Sequence, residues 1–154
     1  MRKDASSLAG MRHAEARRWW QQASYDLQAV RWHIQGGFSD TALAQQASAK
    51  ALKALLYSLG ARRIALLTHA LVAMVQEGQT RRSALTGRRD DARELDVRSI
   101  PSRYPNGLPS GYPHQCYGAG LATRARSAAA TIITVVHDSY RAQGADEMLA
   151  PEAE

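Results

Sequence analysis

Apolar and small residues recur at alternating intervals of four and three along two long stretches of the chain. The first stretch contains Ala16, Trp20, Ala23, Leu27, Val30 and Ile34, and the last contains Leu121, Ala125, Ala128, Ile132, Val135 and Ser139. This spacing places the side chains on one face of a helix. We therefore predict a long helix near each end of the sequence, and we expect the two helices to pack side by side.

A second helix is predicted between the glycine pair 36–37 and Gly60, because glycine readily adopts the left-handed conformation that closes a helix. Ser39 or Asp40 can cap its start. Leucines line one side of this helix, and its alanines allow a neighbouring helix to come close. The leucines are Leu52, Leu55, Leu56 and Leu59, and the alanines are Ala44, Ala47, Ala51 and Ala54.

Two weaker helical patterns follow. Thr68 is positioned to cap a short helix that ends at Gly78, after the connector "ARRIALL", and a further helix runs from Arg82 or Asp90 to Arg98. No stretch outside the helical pattern has the alternation of a strand. The predicted fold class is all-α, an antiparallel up-and-down bundle of four main helices plus one short helix.

The stretch "IPSRYPNGLPSGYPHQCYG", from Ile100 to Gly118, interrupts the helical pattern before the last helix. Its prolines recur every four residues, at 101, 105, 109 and 113, which excludes a continuous helix. The tyrosines supply apolar area to hold such a segment on the bundle. We expect a long Pro/Tyr-rich loop docked against the helices, with Arg103 at a fixed place.

The length of 154 residues suits one domain. We expect residues 1–13 to be a flexible lead, 14–143 to form the bundle, and 144–154 to be an acidic tail. The N-terminus lacks the apolar core of a secretory signal, and no stretch approaches the roughly 20 apolar residues of a membrane span. Cys116 is the single cysteine, so no disulfide can form within the chain. These features predict a cytoplasmic protein with no membrane partner.

Positive charge is concentrated in the middle of the chain. Between Thr41 and Arg89 eight basic residues face one acid, Glu77, within a net charge of +6 overall. A basic region attracts phosphates on a nucleotide, an RNA or a partner. The alternative interpretation is an arginine-rich surface that only faces solvent.

Arg103 is the best single candidate for a phosphate ligand, because a guanidinium grips an oxyanion with two hydrogen bonds. Tyr104 or Tyr112 can stack on a base. In the alternative interpretation, Arg103 pairs with Asp96 or caps helix carbonyls.

Lys50 and Lys53 lie three residues apart on one helix face and, with His69, can form a cationic wall near Arg103. Histidine also serves as a general acid or base. The alternatives are that the Lys53 stem covers apolar surface with its ammonium in water, and that His69 is structural.

Neither a metal site nor a nucleotide hydrolase loop is apparent. The histidines lack a metal-binding spacing, one cysteine cannot make a zinc cluster, and no glycine-rich phosphate loop precedes a helix.

Trp19 and Trp32 lie off the apolar stripe of the first helix, so we expect a homodimer through the outer face of that helix.

Several stretches, taken in order, resemble the HEPN domain family: "WWQQASYDLQAV", "GGFSDTALAQQASAKALKALLYSLG", "THALVAMV" and "LDVRSIPSRYPNGLPSGY". The resemblance covers about residues 14–140. It implies a small helical bundle, often a homodimer, whose relatives are commonly encoded beside or fused to a minimal nucleotidyltransferase. The family name reflects a proposed nucleotide-binding role. We therefore predict a module without chemistry of its own and without a permanent cofactor, which binds a nucleotide such as ATP or GTP, or a nucleotidyltransferase partner, through the basic middle region and the Arg103 loop.

The alternative within this resemblance is a metal-independent ribonuclease, as in the toxin branches of toxin–antitoxin pairs. That branch has an arginine and a histidine with four to six residues between them, and Arg62 and Arg63 precede His69 at such a spacing. The sequence departs from the family at Ala49, where members often have glutamate, and at Asn106, where they often have aspartate. Both departures weaken the expectation of a carboxylate or metal-assisted site.

Overall fold

The computed structural model describes residues 5–38, 41–61 and 63–151, and within these ranges the regular structure is helical. The helices are α1 (Ala5–Gln35), α2 (Thr41–Ser58), α3 (Arg63–Leu67), α4 (Leu71–Gln79), α5 (Arg89–Ser99), α6 (Pro113–Cys116) and α7 (Ala119–Ala142). Short 3-10 turns lie at Ser83–Leu85, Pro105–Gly107 and Asp146–Met148. The predicted all-α fold class is confirmed. No helix in these ranges is both long enough and apolar enough to cross a membrane.

Helix α2 lies at the centre of the bundle and contacts α1, α4, α5 and α7. Its alanines at 44, 47, 51 and 54 are fully buried, and so are Leu52 and Leu56. Because alanine side chains are short, neighbouring helices can pack close to the α2 backbone. A helix that is apolar on most sides is stable only when other elements enclose it, and here four helices do so.

The first and last long helices meet through aromatic packing. Trp20 of α1 lies edge-on to Tyr140 of α7, with the ring centroids 6.0 Å apart and the rings inclined by 79°. The Tyr140 hydroxyl also forms a hydrogen bond with Ser58 of α2, at 3.3 Å. Burial raises the pKa of Tyr140 to about 12. One side chain thus connects three helices.

Glycines close the first two helices as expected. Gly37 has φ +83° and Gly60 has φ +65°, the left-handed conformation that other residues rarely adopt. Gly78 has a different role, since α4 continues to Gln79 and the Leu85 side chain packs directly against Gly78. A β-carbon at position 78 would overlap Leu85.

The expected N-terminal lead and acidic tail contain regular structure. Helix α1 begins at Ala5, within the segment 1–13. In the segment 144–154, Met148 is 1% exposed, and the carbonyl of Ala150 accepts hydrogen bonds from Arg17 and Gln21 of α1. The tail therefore packs along α1 despite its acidic residues. The proposed caps Ser39 and Asp40 lie outside the described residues.

The loop before α7 contains more local structure than its prolines suggest. Pro113 starts the four-residue α6, because proline fits the first turn of a helix. Tyr117 and Ser102 are buried, whereas Tyr104 and Tyr112 are about half exposed. The loop is thus anchored by Tyr117 rather than by all three tyrosines.

Asp96 of α5 caps the start of α4 across the bundle. Its carboxylate accepts hydrogen bonds from the backbone N–H groups of Leu71 and Val72, both at 3.0 Å. The predicted cap, Thr68, instead accepts a hydrogen bond from the Ala70 N–H just before the helix. A carboxylate is a stronger partner than a hydroxyl for these groups, because its charge also matches the positive end of the helix dipole.

Asp96→Ala is expected to lower the free energy of unfolding by about 1–2 kcal/mol, since two N–H groups at the start of α4 lose their acceptor. Urea denaturation followed by circular dichroism measures this change. The matched control is Glu94→Ala on the same helix, which removes only the surface ion pair with Arg98 and should cost about 0.5 kcal/mol or less. Equal losses in the two variants would contradict the cap.

Candidate functional site

A groove of about 670 Å³ opens between α1, α2, the segment before α4, and the end of α5. Its walls include Trp19 from α1, Lys50 and Lys53 from α2, and His69 from the segment before α4. Ala49 and Ile100 add apolar surface. The groove therefore combines cationic groups with an apolar floor.

Lys53 is the least compensated charge in the groove. Its residue is only 7% exposed, and its Nζ lies over the Trp19 ring, 5.1 Å from the centroid. Within the described part of the chain, no carboxylate pairs with it. Burial lowers the pKa of Lys53 below its ordinary value of 10.5, because an ammonium loses its hydration there. The π face of Trp19 offsets only part of this loss.

Trp19 forms an aromatic wall that α2 and α1 hold in place. Its ring stacks on Tyr57, with centroids 6.2 Å apart and planes inclined by 23°. Its Nε1 donates a hydrogen bond to Glu15, one turn earlier in α1, at 3.1 Å. The indole is therefore fixed in orientation, and it lines the groove beside Lys53.

Lys50 differs from Lys53 because it has an acidic partner. Its ammonium pairs with the carboxylate of Asp26 in α1, which is 7% exposed and also accepts a hydrogen bond from Gln22 at 2.7 Å. The two charges neutralise each other across the α1–α2 contact. Lys50 thus lines the groove as one half of an ion pair, and Lys53 does not.

Gln45 holds the segment that carries His69. Its Nε2 donates to the backbone carbonyl of His69 at 2.8 Å and to the Asp96 carboxylate at 3.2 Å. The His69 residue itself is exposed and lines the groove. The amide that positions His69 therefore also contacts the carboxylate that caps α4.

The structure brings Lys50, Lys53 and His69 together but places the loop candidates elsewhere. Arg103 is exposed, and its guanidinium lies over the ring of Tyr104, 5.8 Å from the centroid. Tyr112 is 55% exposed and directly precedes α6. None of these three residues is among those that line the groove. Asp96 caps α4 and does not pair with Arg103.

The remaining basic residues of the middle region are mostly engaged locally or exposed. Arg81 pairs with Glu77 at 3.5 Å, and Arg88 pairs with Asp91 at 3.2 Å. Arg63 begins α3 and is exposed, and Arg62 lies outside the described residues. These pairs reduce the charge that the middle region presents to a ligand.

Trp19, Gln45 and Asp96 shape the groove, although the sequence did not indicate a site role for them. The sequence places Trp19 at a dimer surface, because it lies off the apolar stripe of α1, and it offers Asp96 only as a partner of Arg103. Gln45 gave no signal, since the groups it contacts are distant in sequence. Within the described residues, no group of three or more histidines, cysteines or carboxylates is placed to hold a metal ion.

Solved structures with the same architecture are known. The chain has a TM-score of 0.74 and 26% identity to TT1696 from Thermus thermophilus, covering 80% of this chain and 97% of that one. For ST0689, described as an archaeal HEPN homologue, the TM-score is 0.65 and the identity 27%, over 81% of this chain and 97% of the other. None of the curated proteins is similar enough to match.

The fold and the groove define a small helical bundle with an amphiphilic, partly cationic cleft. The sequence model of the HEPN domain matches residues 16–139, which is most of the bundle. The chain belongs to the HEPN domain family.

Replacing each groove lysine by methionine tests whether Lys50 and Lys53 have different roles. Lys53→Met should raise the free energy of unfolding by up to about 1 kcal/mol, because it removes a partly desolvated charge that has no acidic partner and keeps an apolar stem. Lys50→Met should lower it by about 2 kcal/mol, because Asp26 would stay buried without its cation. Urea denaturation at neutral pH measures both changes.

The pH dependence of the free energy of unfolding provides a control for the effect of the Lys53 charge. Between the lowered pKa of folded Lys53 and the ordinary value of 10.5, the unfolded chain binds more protons than the folded one. The contribution of Lys53 to stability should therefore rise with pH across this window, and it should vanish in Lys53→Met. A loss of stability in Lys53→Met as large as that in Lys50→Met would mean that Lys53 has a compensating partner.

Proposed function

We propose that this protein is a nucleotide-binding HEPN module that has no chemistry of its own and acts beside a minimal nucleotidyltransferase. The observation that carries the proposal is the largely buried Lys53 side chain, whose Nζ lies over Trp19 without a carboxylate partner in the described part of the chain. A phosphate group at this position would supply the missing negative charge through a charge-assisted hydrogen bond. The cost of burying Lys53 is then offset when the ligand binds.

The rest of the groove suits the remainder of a nucleotide. Its volume of about 670 Å³ lies within the range of roughly 300–1,000 Å³ typical of small-molecule sites. Trp19 offers a flat ring on which a base can stack, and such stacking contributes about 1–3 kcal/mol per base. Ala49 and Ile100 offer apolar contacts for the base or ribose. His69 lines the same groove and offers a further polar contact for a phosphate or a hydroxyl.

The nucleotidyltransferase partner rests on the family rather than on the groove. HEPN proteins of this kind are commonly encoded beside such enzymes, and a module that holds a nucleotide would present it to the transferase or respond to its supply. Of the charged groups in the groove, Asp96 is engaged in capping α4 and Lys50 in the ion pair with Asp26, which favours a binding role over catalysis.

Ribonuclease activity is the second candidate function, and the observation that favours it is the placement of His69 in the same groove as Lys53. An imidazole beside an ammonium can transfer a proton and stabilise a phosphorane without metal. Arg63 would need to reach the same phosphate, although it is exposed on α3. RNA cleavage that disappears in His69→Ala would move the assignment to this class.

Calorimetric titration of adenine and guanine nucleotides into the protein tests the main proposal. We expect saturable binding of at least one nucleotide at low salt, and a loss of about tenfold or more in affinity in Lys53→Met, because the phosphate loses its ammonium. Arg103→Ala is the matched control, since it removes a cation outside the groove, and its affinity should stay within about twofold of the unmodified protein. Absence of heat with every nucleotide at millimolar concentration would refute the proposal.

We also propose that the protein forms a homodimer through the outer face of α1. Trp32, which is 71% exposed, lies on this face. Exposed aromatic side chains of this size are typical of interfaces. Trp19 does not belong to this surface, because it packs on Tyr57.

Trp32→Glu should convert the dimer to a monomer at micromolar concentration, because a carboxylate would be buried in the interface. Light scattering after size exclusion gives the mass. Val97→Glu, at a residue that is 67% exposed on α5, is the control and should remain dimeric. A monomeric unmodified protein would contradict this prediction directly.

A further inference from the structure

The charges around the groove point to a narrower class of ligand than nucleotides in general. We propose that the groove selects nucleotides that present a single phosphate group, and that it disfavours triphosphates. This inference rests on the proposed function, because it concerns the ligand of the same groove.

Of the two lysines that line the groove, one is available to a ligand. Lys53 is buried and has no carboxylate partner in the described chain, whereas the Lys50 ammonium is already neutralised by Asp26. A single ammonium balances about one negative charge. It therefore matches one phosphate group, and it leaves most of the charge of a triphosphate without a partner.

Asp96 adds a repulsive contribution on the facing wall. Its oxygens accept hydrogen bonds from Leu71, Val72 and Gln45, so the carboxylate is held in place. Hydrogen bonding satisfies its oxygens but does not remove its negative charge. Additional phosphates in the groove would approach this charge in surroundings that screen it poorly.

A second cavity indicates how a single phosphate can carry more than one base. This cavity, of about 510 Å³, adjoins the groove and shares Trp19 and Lys50 with it. It also contains Tyr25, whose ring is largely exposed. The single phosphate can thus belong to a free nucleoside monophosphate, or it can be the internal phosphodiester between two stacked bases. The shared chemistry in both cases is one phosphate beside an aromatic wall.

The test compares adenosine, AMP, ADP and ATP by calorimetry at low salt, with and without magnesium. We expect AMP to bind about tenfold or more tightly than adenosine, through the charge-assisted contact with Lys53, and ATP to bind no more tightly than AMP. The AMP affinity should fall as the salt concentration rises, because salt screens the contact between the phosphate and Lys53. In Lys53→Met, the affinity for AMP should fall to that for adenosine.

A variant that adds a positive charge to the groove complements Lys53→Met, which removes one. Gln46 lines the groove and is partly exposed, so Gln46→Lys adds a second cation without filling the core. This variant should improve the binding of ATP more than that of AMP. Equal changes in the affinities for ATP and AMP would contradict the inference that the single available ammonium disfavours triphosphates.

The outcomes separate this inference from the proposed function. Affinity that rises about tenfold at each step from AMP to ADP to ATP would overturn the inference and leave nucleotide binding in place. Failure of all four compounds and of the dinucleoside phosphate ApA to bind would refute nucleotide binding itself. Tighter binding of ApA than of AMP would identify the ligand as single-stranded nucleic acid, and tighter binding of AMP would identify a free monophosphate. Either order supports a site for one phosphate.

Discussion

The burial of α2 on most of its surface is the constraint from which the rest of the structure follows. Four helices surround it, and the alanines along it allow them to approach its backbone. A lysine on such a helix cannot extend freely into solvent, so each lysine must find a partner or lie at the edge of an opening. Lys50 meets Asp26 of α1, and Lys53 lies over Trp19 at the edge of the groove. The same packing that makes the core thus determines where positive charge is concentrated.

The difference between these two lysines is the feature on which the proposed function rests. An ammonium with a buried carboxylate partner is a structural element, because removing either member leaves an uncompensated charge. An ammonium that burial has partly desolvated, and whose pKa is lowered for that reason, gains more from a bound anion than an exposed lysine would. The unpaired charge of Lys53 lowers the stability of the fold, and the same charge would strengthen the binding of an anion.

The floor and the wall of the groove are connected through Asp96 and Gln45. Asp96 completes the start of α4, and Gln45 links the Asp96 carboxylate to the backbone of His69. The position of His69 therefore depends on the contact between α5 and α4, and not on its own segment alone. Asp96 caps α4, and in the proposed site the same carboxylate restricts the charge of the ligand.

The sequence by itself determined the fold class, because the three–four spacing of apolar residues in α1 and α7 and the glycines at 37 and 60 act within a few residues of the chain. It also identified Lys50, Lys53 and His69 as candidates, since two of them share a helix face. The sequence could not distinguish Lys50 from Lys53, or place Arg103 away from the groove. Those outcomes depend on which side chains of α1 and α5 face α2. Partners such as Asp26 and Trp19 lie more than twenty residues away, and no local pattern encodes their approach. Only tertiary packing decides whether a charge is neutralised or left available, because that depends on distances between helices.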